Sequence, residues 1–224
     1  MLELVEDLIL VKDLKKSVIE EFAAKVRGKI IFPEDAEYDD ARKLYNAMID
    51  KHHGVIVKCA DVADVIYAVN FGRENHLAVA VRGGGHNGGG LGSCEGGLVI
   101  DLSGLKFGRV NTDKKTVQVG GGNVWAEVDH ATHAFGLAVP AGIISSTGVG
   151  GLTLGGGVGY LARKYGLTID NLLEADMVLA DGSFVTVNAT KNEDLFWAIR
   201  GGGGNFGIVT SFTFQAHPVT NVFG

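Results

Sequence analysis

Residues that could hold a negatively charged ligand cluster in three glycine-rich stretches of this chain. The first reads Arg-Gly-Gly-Gly-His-Asn over residues 82–87 and continues into three more glycines at 88–90. Successive residues without a Cβ atom can turn their N–H groups into one concavity and let an anion approach the backbone. A tight turn needs only one or two glycines, so this run predicts a binding loop for a group such as a diphosphate, with a plain glycine-rich turn as the alternative.

The second stretch, residues 145–160, adds serine and threonine hydroxyls to a similar amide-rich surface. Within it, residues 157–162 satisfy the dinucleotide fingerprint, and Asp176 and Asp181 follow at about the right distance. A nicotinamide-binding Rossmann domain is therefore a competing interpretation. The fingerprint requires an apolar strand just before its first glycine, however, and Ser, Thr and Gly occupy that place here.

The third stretch, residues 201–207, also contains a formal match to the fingerprint, over residues 202–207. There the order of elements is reversed, because a predicted helix precedes the glycines and a predicted strand follows them. We interpret both matches as coincidences in a chain that has 34 glycines among 224 residues, roughly twice the usual share of ~7%.

Hydrophobic periodicity predicts the elements that position these stretches. Asp61 is the predicted N-cap of a helix that carries Val65, Ile66, Val69 and Phe71. Further helices are predicted at 15–27, 39–50, 123–135 and 192–200. Strands are predicted at 54–58, 76–81, 97–102, 107–111, 116–120, 177–180, 184–187 and 208–215. The Asp181-Gly182 pair predicts a hairpin.

The order of these elements predicts an α+β fold with two lobes. A strand, a helix and a second strand over residues 54–81 form a βαβ unit, in which the strands are expected to be parallel. The short strands that follow favour a larger, mainly antiparallel lobe. Glycine-rich loops stand at the ends of these elements, where ligands commonly bind.

Composition excludes several classes of protein. The formal net charge of −6 argues against a duplex nucleic-acid binder, which gathers Lys and Arg to neutralise phosphates. No secretory signal and no transmembrane run is apparent, and two cysteines cannot form a disulfide scaffold, so we expect a cytoplasmic location and no membrane partner. His130 and His133 lack an accompanying carboxylate or thiol cluster, so no metal site is predicted.

The three stretches, in this order and spacing, resemble the FAD-binding (PCMH-type) domain of the vanillyl-alcohol oxidase superfamily, and more narrowly the berberine bridge enzyme-like FAD-linked oxidoreductases. The resemblance runs from about Gly54 to about Pro218. It implies a two-subdomain fold, with a small parallel βαβ lobe and a larger antiparallel lobe, that binds FAD through its glycine-rich loops. The implied boundaries are a helical lead-in at 1–50, an FAD-binding domain at 51–218 with lobes at 51–105 and 106–218, and the start of a substrate domain at 219–224.

The resemblance also implies which residues contact FAD. Those expected at the diphosphate and the flavin edge are Arg82, Gly83, Gly84, Gly85, His86, Asn87 and Gly90. Those expected at the ring and ribityl chain are Ala141, Gly142, Ser145, Ser146, Thr147, Gly148, Gly150 and Gly151, and those expected at the diphosphate are Gly155, Gly156, Gly157, Gly159 and Tyr160. Asn205, Gly207, Ile208 and Val209 are expected at the flavin or adenine ends.

In the family, the histidine of the first motif is alkylated by the 8α-methyl carbon of the flavin, and the matching residue is His86. Imidazole is largely neutral at pH 7, so a ring nitrogen can act as the nucleophile. An unmodified loop histidine is the alternative. Some members carry a second link through a cysteine, but Ile144 occupies the corresponding position and Cys94 does not match it, so a single link is expected.

The resemblance implies oxidation of a small organic substrate by hydride transfer to the flavin, and no catalytic base is identified in the chain. In relatives a substrate domain following the FAD-binding domain supplies the base, so we expect a C-terminal domain or a partner chain to provide it. A nicotinamide-dependent dehydrogenase and a non-catalytic flavin-binding module remain the alternative functions.

Overall fold

A computed structural model describes residues 8–219 of the chain. The described residues form two compact units. The first unit comprises the residues up to Gly104 together with Ala180–Ser183, and the second comprises Leu105–Leu179 together with the residues from Phe184 onward. Most of the region expected to begin a substrate domain, 220–224, and residues 1–7 of the expected lead-in lie outside the described residues.

A four-stranded sheet forms the centre of the first unit. Its strands are β1 (Lys29–Ile31), β2 (Val55–Lys58), β3 (Val79–Arg82) and β4 (Leu98–Asp101), in the order β1-β2-β4-β3. β2 and β3 both pair in parallel with β4, whereas β1 pairs antiparallel with β2. The predicted parallel arrangement is therefore confirmed, with β4 inserted between the two strands of the βαβ unit. All four residues of β4 are buried, as expected for a central parallel strand.

Three helices accompany this sheet: α1 (Lys16–Ala23), α2 (Tyr38–Ala41) and α3 (Val62–Glu74). The predicted N-cap of α3 is confirmed, because an Asp61 side-chain oxygen accepts a hydrogen bond from the Asp64 amide at 3.2 Å. The second strand of the βαβ unit starts later than predicted. His76 has a left-handed φ of 51°, which ends the turn after α3, and β3 begins only at Val79.

The helix predicted over residues 39–50 is wrong for most of its length, because only α2 is helical. The remainder is an irregular segment. It is stabilised by ion pairs of Arg42 with Asp39 and Asp50 and by an ion pair of Lys43 with Asp40. The side chain of Met48, predicted on the buried face, is 90% exposed. This irregular segment forms hydrogen bonds with the first glycine-rich stretch in place of helix packing.

The second unit is built on an antiparallel sheet. Its strands are β5 (Gly108–Asn111), β6 (Thr116–Gly120), β8 (Leu172–Val178), β9 (Phe184–Asn188) and β10 (Ile208–Gln215), in the order β5-β6-β10-β8-β9, and β7 (Leu137–Ala138) pairs with β11 (His217–Pro218). All of these pairings are antiparallel, which confirms the predicted character of the larger lobe. The predicted hairpin is also present, although the connection between β8 and β9 spans residues 179–183, with Gly182 at φ 84°.

Helices α4 (Trp125–His133), α5 (Val149–Leu154), α6 (Ala162–Tyr165) and α7 (Glu193–Ile199) complete the second unit. Its core joins the sheet to α4 and α5 through fully buried side chains that include Trp125, Val149, Phe212 and Phe214. The Trp125 and Phe214 rings meet at 5.7 Å between centroids in a tilted arrangement. Within residues 8–219, none of the helices has the length and apolar character needed to cross a membrane.

Candidate functional site

The first glycine loop, residues 83–90, leaves the sheet of the first unit at Arg82, which is the last residue of β3. Arg82 is 5% exposed, and its Nη2 atom lies 2.7 Å from Oδ2 of Asp101, its parallel neighbour on β4. The same nitrogen donates to the carbonyl oxygen of Ala41 at 2.7 Å. The guanidinium therefore fixes the base of the loop from inside the unit.

The backbone of this loop presents N–H groups that have no acceptor among the described residues. Among residues 8–219, the N–H groups of Gly83, Gly84, Gly88 and Gly89 donate to no other residue. Gly85 has a left-handed φ of 70°. Where left-handed and right-handed residues alternate, successive N–H groups point into one concavity that can bind an anion. A Cβ atom built at Gly88 would meet nothing within 4 Å, so the open side of the loop has room for a ligand.

His86 lies half-buried in this loop, and its imidazole ring stacks on the ring of Tyr45. The two centroids are 4.0 Å apart and the ring planes are inclined by 18°. The Tyr45 amide donates to the Gly85 carbonyl at 3.1 Å, and the side-chain amide of Asn46 donates to the Gly88 carbonyl at 2.9 Å. These two contacts could not be predicted from the sequence, because they join residues about forty positions apart that share no local motif.

The end of the loop is held by Asn87 and Gly90. The Asn87 side-chain oxygen accepts from the Leu91 amide at 3.1 Å, and its carbonyl accepts from the Gly90 amide at 3.1 Å. Gly90 is buried with φ 74°, and a Cβ there would lie 2.7 Å from Cγ2 of Ile49. The glycine is therefore required by packing inside the protein.

The second glycine loop, residues 141–160, lies in the second unit. Its first part closes the start of α4, since the Trp125 amide donates to the Thr147 carbonyl at 3.0 Å and the Ala126 amide donates to the Ser145 carbonyl at 2.9 Å. Gly148 forms an isolated antiparallel bridge with Val124. Ser145 and Ser146 stay exposed, so their hydroxyls remain on the surface of the unit.

The two ends of this loop approach each other at backbone distance. A Cβ at Gly159 would lie 2.8 Å from the carbonyl carbon of Ala141 and closer still to its oxygen. Gly157 has φ 78°, and a Cβ there would overlap the side chain of Thr168. These glycines are needed so that the protein can fold, whereas Gly151 on α5 is exposed and a Cβ there would meet nothing within 4 Å.

The third glycine loop, residues 201–207, lies beside α5 in the same unit. The Gly201 amide donates to the carbonyl of Leu154 at the end of α5, at 3.0 Å, and the Asn205 side chain donates to the Gly202 carbonyl at 2.8 Å. The second and third loops are thus brought together. Ile208 and Val209, in contrast, are buried in β10, and Val209 belongs to the core.

The context of the dinucleotide fingerprints differs from that of a Rossmann domain. The match at 157–162 follows α5, where a strand is required, and the match at 202–207 stands after α7 and before β10. Neither match has the strand–glycine–helix order that places a diphosphate at a helix N-terminus, which supports the interpretation of both as coincidences.

The remaining nucleophilic and metal-binding groups have structural environments. Burial raises the pKa of the Cys94 thiol to about 11, and the thiol donates to backbone carbonyls at 3.4 and 3.6 Å. A thiol with so high a pKa contains little thiolate at neutral pH. In the part of the chain that the structure describes, His, Cys, Asp and Glu side chains form no group of three or more that could hold a metal ion.

Residues 54–188 match the model of a protein family described as the FAD binding domain. The chain belongs to this family. This FAD-binding domain is 41% identical over 203 residues to an uncharacterized FAD-linked oxidoreductase, YgaK, of Bacillus subtilis, a match that covers 88% of the chain and 45% of the relative. The family resemblance inferred from the three glycine-rich stretches is therefore confirmed, and FAD is the cofactor.

Two solved structures show the same fold. BBE-like 1 of Physcomitrella patens superposes with a TM-score of 0.85 at 38% identity, over 90% of this chain and 44% of that one. Glucooligosaccharide oxidase of Acremonium strictum, whose structure is described with a 6-S-cysteinyl, 8α-N1-histidyl FAD, superposes with a TM-score of 0.83 at 32% identity, over 89% and 42%. The predicted two-subdomain α+β fold is confirmed, and the chain spans less than half the length of these relatives.

Proposed function

We propose that the complete protein is an FAD-dependent oxidoreductase acting on a small organic substrate, and that the three glycine loops of this chain hold its FAD. The observation that carries the proposal is the first glycine loop, where a row of backbone N–H groups without acceptors stands beside His86, inside a sequence that matches FAD-binding domains. When bound, the flavin accepts a hydride from the substrate and later passes the electrons on.

The residues present suit an extended anionic cofactor. The N–H groups of the first loop can donate to phosphate oxygens, and the hydroxyls of Ser145 and Ser146 add donors on the second unit. The open space at Gly88 and Gly151 lets a ligand reach the backbone closely. Formally charged groups are not needed for this, which agrees with a net charge of −6.

We assign the contacts by position in the motifs. The backbone of residues 83–87, with Gly90, serves the diphosphate and the flavin edge. Ala141, Gly142, residues 145–148 and residues 150–151 serve the ring and ribityl chain, whereas residues 155–157, Gly159 and Tyr160 serve the diphosphate. Asn205 and Gly207 serve an end of the cofactor. The side chains of Arg82, Ile208 and Val209 support this surface from within, since all three are buried.

We further propose that His86 is the single covalent attachment point of the flavin. Overall, one hydrogen leaves the 8α-methyl carbon, one leaves the imidazole nitrogen, and a carbon–nitrogen bond forms between them. The two electrons and two protons reduce dioxygen to hydrogen peroxide. Ile144 offers no thiol at the position expected for a second link, and Cys94 is protonated at neutral pH.

The substrate is expected to be a small organic molecule, such as a sugar, an alcohol, an alkaloid or a polyphenol. Residues that select it are expected in the part of the relatives' length that this chain does not match, either in the same polypeptide or in a partner chain. A cytoplasmic location is supported by two cysteines that remain free thiols, Cys59 and Cys94.

Purification of the complete gene product tests these proposals. We expect a yellow protein whose flavin absorption persists on the denatured polypeptide, with a mass increased by one FAD less two hydrogens. Its flavin should be bleached under anaerobic conditions by a compound from one of the substrate classes above. His86→Ala should bind FAD that is released on denaturation. Colourless protein stabilised by NAD would support a nicotinamide enzyme, and yellow protein that no donor reduces would support a binding module.

A further inference from the structure

The aromatic ring of Tyr45 is little covered by the other described residues. It is 67% exposed, whereas aromatic rings that stabilise a fold bury most of their surface. One face of the Tyr45 ring nevertheless lies against the His86 imidazole. The two centroids are 4.0 Å apart and the ring planes are inclined by 18°. A surface tyrosine placed flat on the proposed attachment residue points to a function for the ring itself.

The backbone around Tyr45 is fixed to the first glycine loop on both sides of His86. The Tyr45 amide donates to the Gly85 carbonyl at 3.1 Å, before the histidine, and Asn46 donates to the Gly88 carbonyl at 2.9 Å, after it. Farther along, the side chain of Ile49 fills the space next to Gly90. The irregular segment 42–50 therefore holds Tyr45 in register with His86.

Stacking on one face of an imidazole restricts the ring in a chemically specific way. In a neutral imidazole the lone pair of the unprotonated nitrogen lies in the plane of the ring, so the orientation of that plane decides which carbon the nitrogen can attack. A neighbour stacked on the face limits rotation of the plane and does not itself occupy the edge that carries the nitrogens. Formation of a covalent bond is fastest when the reacting atoms are held in line.

We propose that Tyr45 is a positioning residue that sets the plane of the His86 imidazole for attachment of the flavin. The inference rests on the proposed His86 link and adds no atoms or electrons to its chemistry. It predicts that loss of the aromatic ring slows attachment without preventing the prior, reversible binding of FAD, because the loop amides that we assign to the diphosphate remain in place.

The test follows the rate at which covalent flavin forms when the complete protein, prepared without cofactor, is mixed with FAD. The rate is read from flavin fluorescence on the denatured polypeptide and from intact mass. Tyr45→Ala should slow attachment roughly three- to tenfold, as expected for loss of one aromatic stack. Tyr45→Phe should restore the parent rate, and Tyr45→Leu, which keeps apolar bulk without a planar ring, should not. All variants should match the parent in melting temperature and in initial FAD affinity.

Met48→Ala is the matched control, since Met48 lies in the same segment and is 90% exposed. It should attach flavin at the parent rate. Attachment by Tyr45→Ala at the parent rate would overturn the inference. So would a Met48→Ala variant, or a Tyr45→Phe variant, that attaches flavin as slowly as Tyr45→Ala. A parent protein that binds FAD and never forms an adduct would instead refute the His86 link itself, while flavin absorption would still support FAD as the cofactor.

Discussion

Replacing Gly151 and Gly159 by alanine distinguishes a glycine that leaves room for the cofactor from a glycine that allows close packing of the backbone. Gly151 is exposed within α5, has room for a Cβ, and has no left-handed φ. Alanine in a helix is favoured over glycine by about 0.5–1 kcal/mol, so Gly151→Ala should stabilise the protein without cofactor by that amount. If FAD passes over α5, the added methyl group should weaken FAD binding by about 1–3 kcal/mol, or roughly 5- to 150-fold in Kd.

Gly159→Ala should behave differently, because its Cβ would lie 2.8 Å from the Ala141 carbonyl carbon. Ordinary carbon–carbon contacts lie at about 3.5–4.0 Å. The Ala141 carbonyl oxygen would be nearer still to the added Cβ, so the two segments must separate by more than about 1 Å. Overpacking of this kind costs about 1–3 kcal/mol of unfolding free energy.

Both substitutions are best made in a His86→Ala background, which keeps FAD binding reversible. Denaturant unfolding gives the stability, and quenching of flavin fluorescence on binding gives the Kd. A Gly151→Ala protein that gains stability and keeps the parent Kd would refute our assignment of Gly151 to the cofactor surface. A Gly159→Ala protein as stable as its parent would refute the close backbone approach.

Two further predictions concern buried ionisable side chains of the first unit. Arg82→Ala should lower the unfolding free energy by about 3–5 kcal/mol, because it leaves the buried Asp101 carboxylate without its ion-pair partner, and Arg82→Met with Asp101→Leu should recover much of that loss. A loss below about 1 kcal/mol for Arg82→Ala in urea unfolding would contradict the role assigned to the pair. Burial lowers the pKa of His53, and the Arg82 charge acts in the same direction. The unfolded chain therefore binds a proton that the folded chain resists, and stability should fall as the pH drops below about 6.5, by up to ~1.4 kcal/mol per pH unit. A His53→Asn variant should show a shallower dependence between pH 7.5 and 5.5, and an unchanged slope would refute this origin.

Local sequence pattern predicted the elements whose limits are marked by their own residues. The alternation over residues 208–215 gave the bounds of β10, and the Asp61 cap gave the start of α3. The pattern failed at 39–50, where Leu44, Ala47 and Met48 have helical spacing. In that segment, ion pairs of Arg42 and hydrogen bonds to the first glycine loop stabilise the backbone in a conformation that is not helical. Tertiary contacts outweigh helix propensity because the latter contributes only tenths of a kcal/mol per residue, on the order of 0–0.7.

Residue types and their order were enough to locate the three glycine loops, because a run of residues without Cβ atoms is visible before the fold is known. The family and the cofactor followed from the resemblance that these loops carry. The role of each residue within the loops became clear only from contacts in the folded protein. In the folded protein, Arg82 pairs with Asp101 inside the first unit, and Val209 belongs to the core of the second. The space around Gly159 differs from the space around Gly151, and the ring of Tyr45 stacks on His86. These outcomes depend on contacts between residues far apart in the chain, which no local pattern of residue types contains.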